Sequence, residues 1–110
     1  MARHQLYVLS NPVEGREEEY NTWYTDQHLP DVLRAPGFVA AQRFKITERV
    51  AGTADYSYLA VYEMEAADPH DAVVQLLARA GTADMVMSEA LDPEFLVVLC
   101  EAITPLVRRG

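Results

Sequence analysis

The 110-residue sequence has one cysteine, Cys100, which excludes an internal disulfide and a cysteine-built zinc framework and fits a reducing compartment. Glycine and proline are sparse, at 5 and 6 positions, and half the residues are hydrophobic, which excludes collagen, linkers and disorder. Positive charge is scarce too. Nine Lys and Arg face seventeen Asp and Glu, for a net charge of -8, the wrong sign for phosphate backbones or anionic lipid, so nucleic acid is excluded as a partner. No apolar run approaches the roughly 18 residues of a membrane span. Met1-Ala2-Arg3-His4 leads into a strand-like segment without a signal peptide pattern, so a cytoplasmic protein is expected. There is no GxGxxG, P-loop, HExxH, GxSxG elbow or close His/carboxylate ligand set, and hence no implied cofactor or metal.

What remains is one domain, residues 1–110, with strongly patterned elements. Gln5 to Ser10 reads as a strand closed by Asn11-Pro12. Tyr20, Trp23, Tyr24 and Gln27 recur at helical spacing behind Glu17-Glu18-Glu19, whose charges suit a helix N-terminus. That helix should stop around His28, because Leu29 precedes Pro30, and Pro30 to Arg34 would form a short further turn. After Pro36-Gly37, Phe38 to Ile46 reads as a second strand and Tyr56 to Glu65 as a third, with Tyr56, Tyr58 and Tyr62 on one face and Leu59 and Val61 on the other. Asp68-Pro69 opens a helix ending at Gly81, its apolar stripe formed by Val73, Leu76, Leu77 and Ala80. Thr82 to Ala90 suggests one more short helix, although Met85 and Met87 fit either period. Glu94 to Thr104 gives a last apolar strand.

The order β, α, β, β, α, β is the split βαβ pattern, so the expected fold class is α+β, ferredoxin-like, with a four-stranded antiparallel sheet and helices on one face. The strands are apolar on both faces, so a second copy is expected to cover the open side of the sheet: a homodimer packed face to face.

Trp23-Tyr24-Thr25-Asp26-Gln27-His28-Leu29-Pro30-Asp31, followed by Pro36-Gly37-Phe38, resembles the W-Y-x-x-x-H-x-P-D … P-G segment of EthD-like proteins, members of the dimeric α+β barrel superfamily. The resemblance covers roughly the first 45 residues. It implies the same fold and dimerisation, but it implies chemistry poorly. Similar barrels serve cofactor-independent aromatic oxygenases, polyketide cyclases, muconolactone isomerase and haem-handling enzymes. None of the three histidines here aligns with the iron ligand of the last group.

His28 is the sharpest candidate, a near-neutral titrating group at an expected helix end, with Asp31 three residues on to orient it as a general base. The structural alternative has His28 and Asp31 merely capping helix ends. Tyr20, Trp23 and Tyr24 are core anchors or the wall of an apolar pocket. Tyr58 and Tyr62, with Tyr56, need hydroxyl partners, from a wet or ligand-lined cavity or by reaching the rim or the dimer partner. His4, at a strand end, is a further candidate for the same cleft, whereas His70 is expected to be solvent-exposed and Cys100 an inert buried thiol. Arg43 and Lys45 would pair with acids across a dimer or receive an anionic substrate.

These residues suggest a cofactor-free enzyme acting on a small hydrophobic or aromatic carbonyl metabolite by proton transfer, of the isomerase, cyclase or lyase type, with His28, oriented by Asp31, as base and a Tyr hydroxyl polarising the carbonyl oxygen. The alternatives are a non-catalytic small-molecule-binding or accessory protein, and a cofactor-independent aromatic oxygenase.

Overall fold

A computed structural model describes residues 3–110; the leaderless start read at Met1-Ala2 lies outside them. Four antiparallel strands, β1 (His4–Ser10), β2 (Phe38–Lys45), β3 (Tyr58–Met64) and β4 (Leu96–Glu101), lie in the order β2-β3-β1-β4. Helices occupy one side only, so the fold is the α+β, ferredoxin-like one expected.

Strand alternation divides the sheet into two chemically distinct faces. Leu6 and Ser10 of β1, and Tyr58, Ala60, Tyr62 and Met64 of β3, are buried beneath the helices. The register then places Tyr7 and Leu9, Leu59 and Val61, Phe44, and Leu96, Val98 and Cys100 on the other side, which no helix covers. Cys100 is exposed there rather than buried, because β4 is an edge strand and the thiol points to the open face.

The first helical segment departs from the sequence reading. It does not stop at His28: α1 (Glu17–Trp23) passes into a π-helical turn (Tyr24–His28) and on into α2 (Leu29–Leu33), with Leu29 still in the right-handed helical region. A proline inside an α-helix clashes with the carbonyl four residues back and has no N–H to donate. Here the turn before Pro30 is widened, the Leu29 N–H reaching the Tyr24 carbonyl five residues back, and the widening carries the helix past the proline. His28 therefore caps nothing; it sits inside a continuous helix.

Gly37 turns the chain into β2 at φ +94°, and a Cβ there would press on Ala66 and Ala72 at 3.2 and 3.3 Å. α3 (Pro69–Arg79) starts as expected, with the Asp68 carboxylate accepting from the Asp71 N–H at 3.0 Å. No helix forms over Thr82–Ala90. The Thr82 hydroxyl binds the Arg79 carbonyl at 2.6 Å and the Asp84 N–H at 3.2 Å, and Ser88 Oγ takes the Ala90 N–H at 3.0 Å. Such local bonds offer the backbone an alternative to the helical ladder. The segment is an irregular loop packed over α1 and the sheet, and Met85 and Ala90 are buried beneath it. No helix of the described residues is long and apolar enough to cross a membrane.

Candidate functional site

A cavity of about 100 Å³ lies between the sheet, the first helical segment, α3 and the loop 82–90. Leu6, Val8 and Val97 form its floor, Leu76 and Leu77 one wall, and Met85 and Met87 its roof. The remaining wall belongs to the π-helical segment and β3: Trp23, Tyr24, His28 and Tyr62. An engineered apolar cavity of about 150 Å³ takes up benzene, so this space is somewhat smaller than one that holds a single ring.

His28 is the most unusual group on this wall. Its imidazole stacks on Trp23 at 4.6 Å between centroids and meets Tyr24 edge-on at 4.9 Å. Nδ1 is buried and, among the described residues, has no hydrogen-bond partner. Burial pushes the imidazole down to about 4, the Arg43 charge acts in the same direction, and the Asp31 carboxylate opposes both. The ring is neutral at pH 7.

Asp31 does not hold that ring, although the sequence suggested it. Its buried carboxylate accepts from Gln27 Nε2 at 2.9 Å, from the Arg34 guanidinium and from the Val86 N–H. Burial pushes the Asp31 carboxyl up, but these three donors outweigh it and hold the group below its ordinary value. The Val86 carbonyl in turn accepts from Trp23 Nε1 at 2.9 Å. Both backbone polar groups of one loop residue, Val86, are thus clasped by side chains of the first helical segment, with Met85 and Met87 on either side lining the cavity. Asp31 acts on His28 through its charge and on the cavity through its roof.

The tyrosines separate into two groups. Tyr24 and Tyr62 line the cavity, the Tyr62 hydroxyl donating to that of Tyr24 at 3.3 Å. Tyr20 and Tyr58 do not line it: Tyr20 shares a 2.6 Å bond with Ser10 Oγ, and Tyr58 donates to Glu17 at 2.6 Å while accepting from Asn21 at 3.0 Å. Their hydroxyls find side-chain partners in the protein rather than a wet cavity. Arg43 packs among the same rings: its guanidinium lies 4.4 Å from the Tyr24 ring centre, 5.4 Å from Tyr20 and 5.3 Å from Tyr58, and donates to Thr25 and Asn21 at 2.9 Å each. Arg43 thus fills a cage of tyrosine faces between the sheet and the first helical segment. His4 is also outside the cavity lining; it sits at the start of β1 with Nε2 3.2 Å from Glu101. Of the eight candidate residues, the fold brings Trp23, Tyr24, His28 and Tyr62 to the cavity, with Asp31 behind its roof.

The sequence reading missed the two methionines of the roof and the structural weight of Val86, whose role is played entirely by its backbone. The double periodicity of Met85 and Met87 was the available signal, since a segment fitting neither period cleanly is loop-like. Among the described residues no three His, Cys, Asp or Glu side chains converge as a metal site would require.

No family model matches the chain, and no curated protein does. Solved structures do match in fold. A candidate monooxygenase from Shewanella loihica PV-4 superposes with a TM-score of 0.59 at 18% identity, over 96% of this chain and 99% of its own. An ethyl tert-butyl ether degradation (EthD) family protein from Bacillus halodurans C-125 has a TM-score of 0.53 at 12% identity, over 94% and 100%. A dimeric ferredoxin-like protein from an uncultured marine organism gives 0.55 at 8% identity, over 96% and 100%. The chain thus has the ferredoxin-like α+β fold of these proteins along its whole length, which is the fold that the EthD-like motif implied.

Proposed function

We propose that the protein is a small homodimeric, cofactor-free enzyme that moves a proton on a single-ring hydrophobic or aromatic carbonyl compound, with His28 as the base. The observation that supports this reading is the orphaned, buried Nδ1 of His28, on a residue that lines an otherwise apolar cavity. Buried polar groups without partners are rare enough in native proteins to call for an explanation, and a ligand atom is the simplest one. A buried lone pair left alone costs less than a buried N–H left alone, so the proton belongs on Nε2 and Nδ1 is the acceptor.

In the proposed step the C–H bond next to the carbonyl breaks and its proton passes to Nδ1. The electron pair forms a carbon–carbon double bond and the carbonyl oxygen becomes the enolate. Returning the proton to another carbon completes an isomerisation with no redox partner. Asp31 assists at a distance, since its charge favours the imidazolium that forms. The depressed basicity of His28 makes it a weaker base but keeps it unprotonated across the neutral range.

The test is deuterium wash-in beside the carbonyl of cyclohexenones and phenylacetone, followed by NMR. His28→Ala should retain the fold and lose at least tenfold of the exchange, the lower end of what general bases contribute; unchanged exchange overturns the assignment. A ligand-binding role without turnover is the second reading, favoured by the low basicity of the imidazole, and uptake of these compounds with no exchange at all would establish it. The candidate monooxygenase among the fold neighbours favours a third, oxygen chemistry on an activated phenol, for which oxygen uptake is the assay.

Dimerisation belongs to the same proposal. Phe44 and Leu96 on the helix-free face are 44% and 43% exposed, and Tyr7, Leu59, Val61 and Val98 lie between them, a contiguous apolar surface of the kind that marks an interface. A second copy related by a two-fold axis covers that surface, as the dimeric neighbour's description also supports.

A further inference from the structure

The cavity has a second polar arm. The Tyr24 hydroxyl accepts from Tyr62, which leaves its own proton without an acceptor among the described residues. Burial pushes the Tyr24 phenol up to about 12 and raises Tyr62 further, so both remain protonated donors at any working pH. Tyr24 also stands edge-on to the His28 ring, 4.9 Å away, and both residues line the cavity. The Tyr24 O–H and the Nδ1 lone pair of His28 are thus both without a partner among the described residues, on two residues that line the cavity.

The geometry points to Tyr24 as the group that donates to the ligand oxygen, and to a ring-bound hydroxyl, a phenol or the enol form of a cyclic ketone, as the function that this cavity recognises. A hydroxyl can give its proton to Nδ1 of His28 while accepting from Tyr24, which satisfies both arms at once; an ether or a hydrocarbon of the same shape cannot. The inference rests on the cavity and the His28 acceptor of the proposed function above, and names the hydroxyl form of ligand that this site binds and the residue that donates to its oxygen.

Arg43 is the positioning residue behind it. Its guanidinium lies 4.4 Å from the Tyr24 ring centre, is held there by Asn21 and Thr25, and is not part of the cavity wall. A cation against the ring face withdraws electron density and strengthens the phenol as a donor. Arg43 thus acts on a ligand oxygen without touching it, through Tyr24 and through its charge on His28. The Tyr62 hydroxyl does the same from the other side, since a hydroxyl that accepts a hydrogen bond donates a stronger one.

Calorimetric titration of phenol, anisole and toluene into the intact protein tests this. Wild type should bind phenol at least about tenfold more tightly than anisole, which has no proton for His28, and more tightly than toluene. Tyr24→Phe should lower phenol affinity about tenfold while leaving toluene unchanged, and Arg43→Gln should lower it severalfold with the same selectivity. General damage to the cavity would weaken all three ligands together, so the phenol-to-toluene ratio separates the chemical role from a structural one. If Tyr24→Phe fails to fold, Tyr62→Phe, which keeps the Tyr24 hydroxyl, should shift the same ratio to a smaller degree. A ratio unchanged in every folded variant overturns the role of Tyr24. Should His28→Ala alone collapse it, the base survives and the second arm falls. Should wild type take up none of the three ligands, the cavity reading and this inference fall together.

Discussion

At the scale of single residues, His28 carries the pH behaviour of the molecule. Its folded pKa of about 4 lies below the unfolded value of 6.5, so the unfolded chain binds the proton more readily. The stability associated with the neutral ring is complete above pH 6.5 and is lost as the pH falls towards 4, to the extent of ~3 kcal/mol. Asp31, held below its ordinary value by its three donors, acts in the same sense, its contribution disappearing as the carboxylate protonates. We therefore expect acid-induced unfolding to begin below pH 6.5, and His28→Gln to flatten the slope between pH 6.5 and 4 in urea titrations. A slope unchanged in that variant would mean that another group titrates there. Turnover should have the corresponding profile, level from pH 6 to 8 and falling as the imidazole protonates near pH 4.

The chemistry at this scale was partly legible beforehand. His28, Trp23 and Tyr24 stood out because rare residue types cluster in one short segment. That Tyr20 and Tyr58 serve Arg43 was not legible, because residue 43 lies on a different strand from the ring at 58 and on a different element from that at 20; sequence spacing carries no information about such an encounter. The pairing of Asp31 with His28 was a reasonable reading of an i, i+3 spacing, but the carboxylate turns instead to the loop at Val86, a partner 55 positions further along.

At the scale of elements, the π-helical turn and the roof loop decide the site. Pro30 forces the widened turn, and that turn sets the direction in which Trp23 and Tyr24 point relative to Asp31. Trp23 and Asp31 then clasp the Val86 carbonyl and N–H. Trp23→Phe removes one of the two clasps and should cost about 1 kcal/mol of stability. Asp31→Ala leaves the Val86 N–H and the Arg34 guanidinium without their acceptor and should cost more, ~2–3 kcal/mol. In both variants hydrogen exchange should accelerate over residues 82–90 while β1 and β3 remain protected. Equal acceleration across the sheet would show that the clasp supports the core as a whole and not the roof. The short helix expected over Thr82–Ala90 failed for a local reason visible in hindsight, since Thr82, Asp84 and Ser88 all offer the backbone side-chain partners that compete with a helix.

At the scale of the whole molecule, the two faces of the sheet have different fates. The helix-covered face closes on the cavity, whereas the other presents Tyr7, Leu59, Val61 and Val98 with no cover from the chain itself. Light scattering should report a particle of twice the 12.3 kDa chain mass at micromolar concentration. Val61→Glu, at the centre of that face opposite Tyr7, should reduce it to a single chain without loss of secondary structure. A wild-type particle of one chain mass would remove the dimer.

The order of elements, the strand faces and the presence of an aromatic stripe around an imidazole were determined by the sequence alone. Each is a matter of periodicity or local backbone preference, and both are written within a few consecutive residues. The tertiary structure decided which of those side chains meet a cavity, what the Asp31 carboxylate holds, and that the histidine is neutral. Those properties depend on desolvation and on partners brought from distant strands and loops, and burial is a quantity that no single segment possesses on its own.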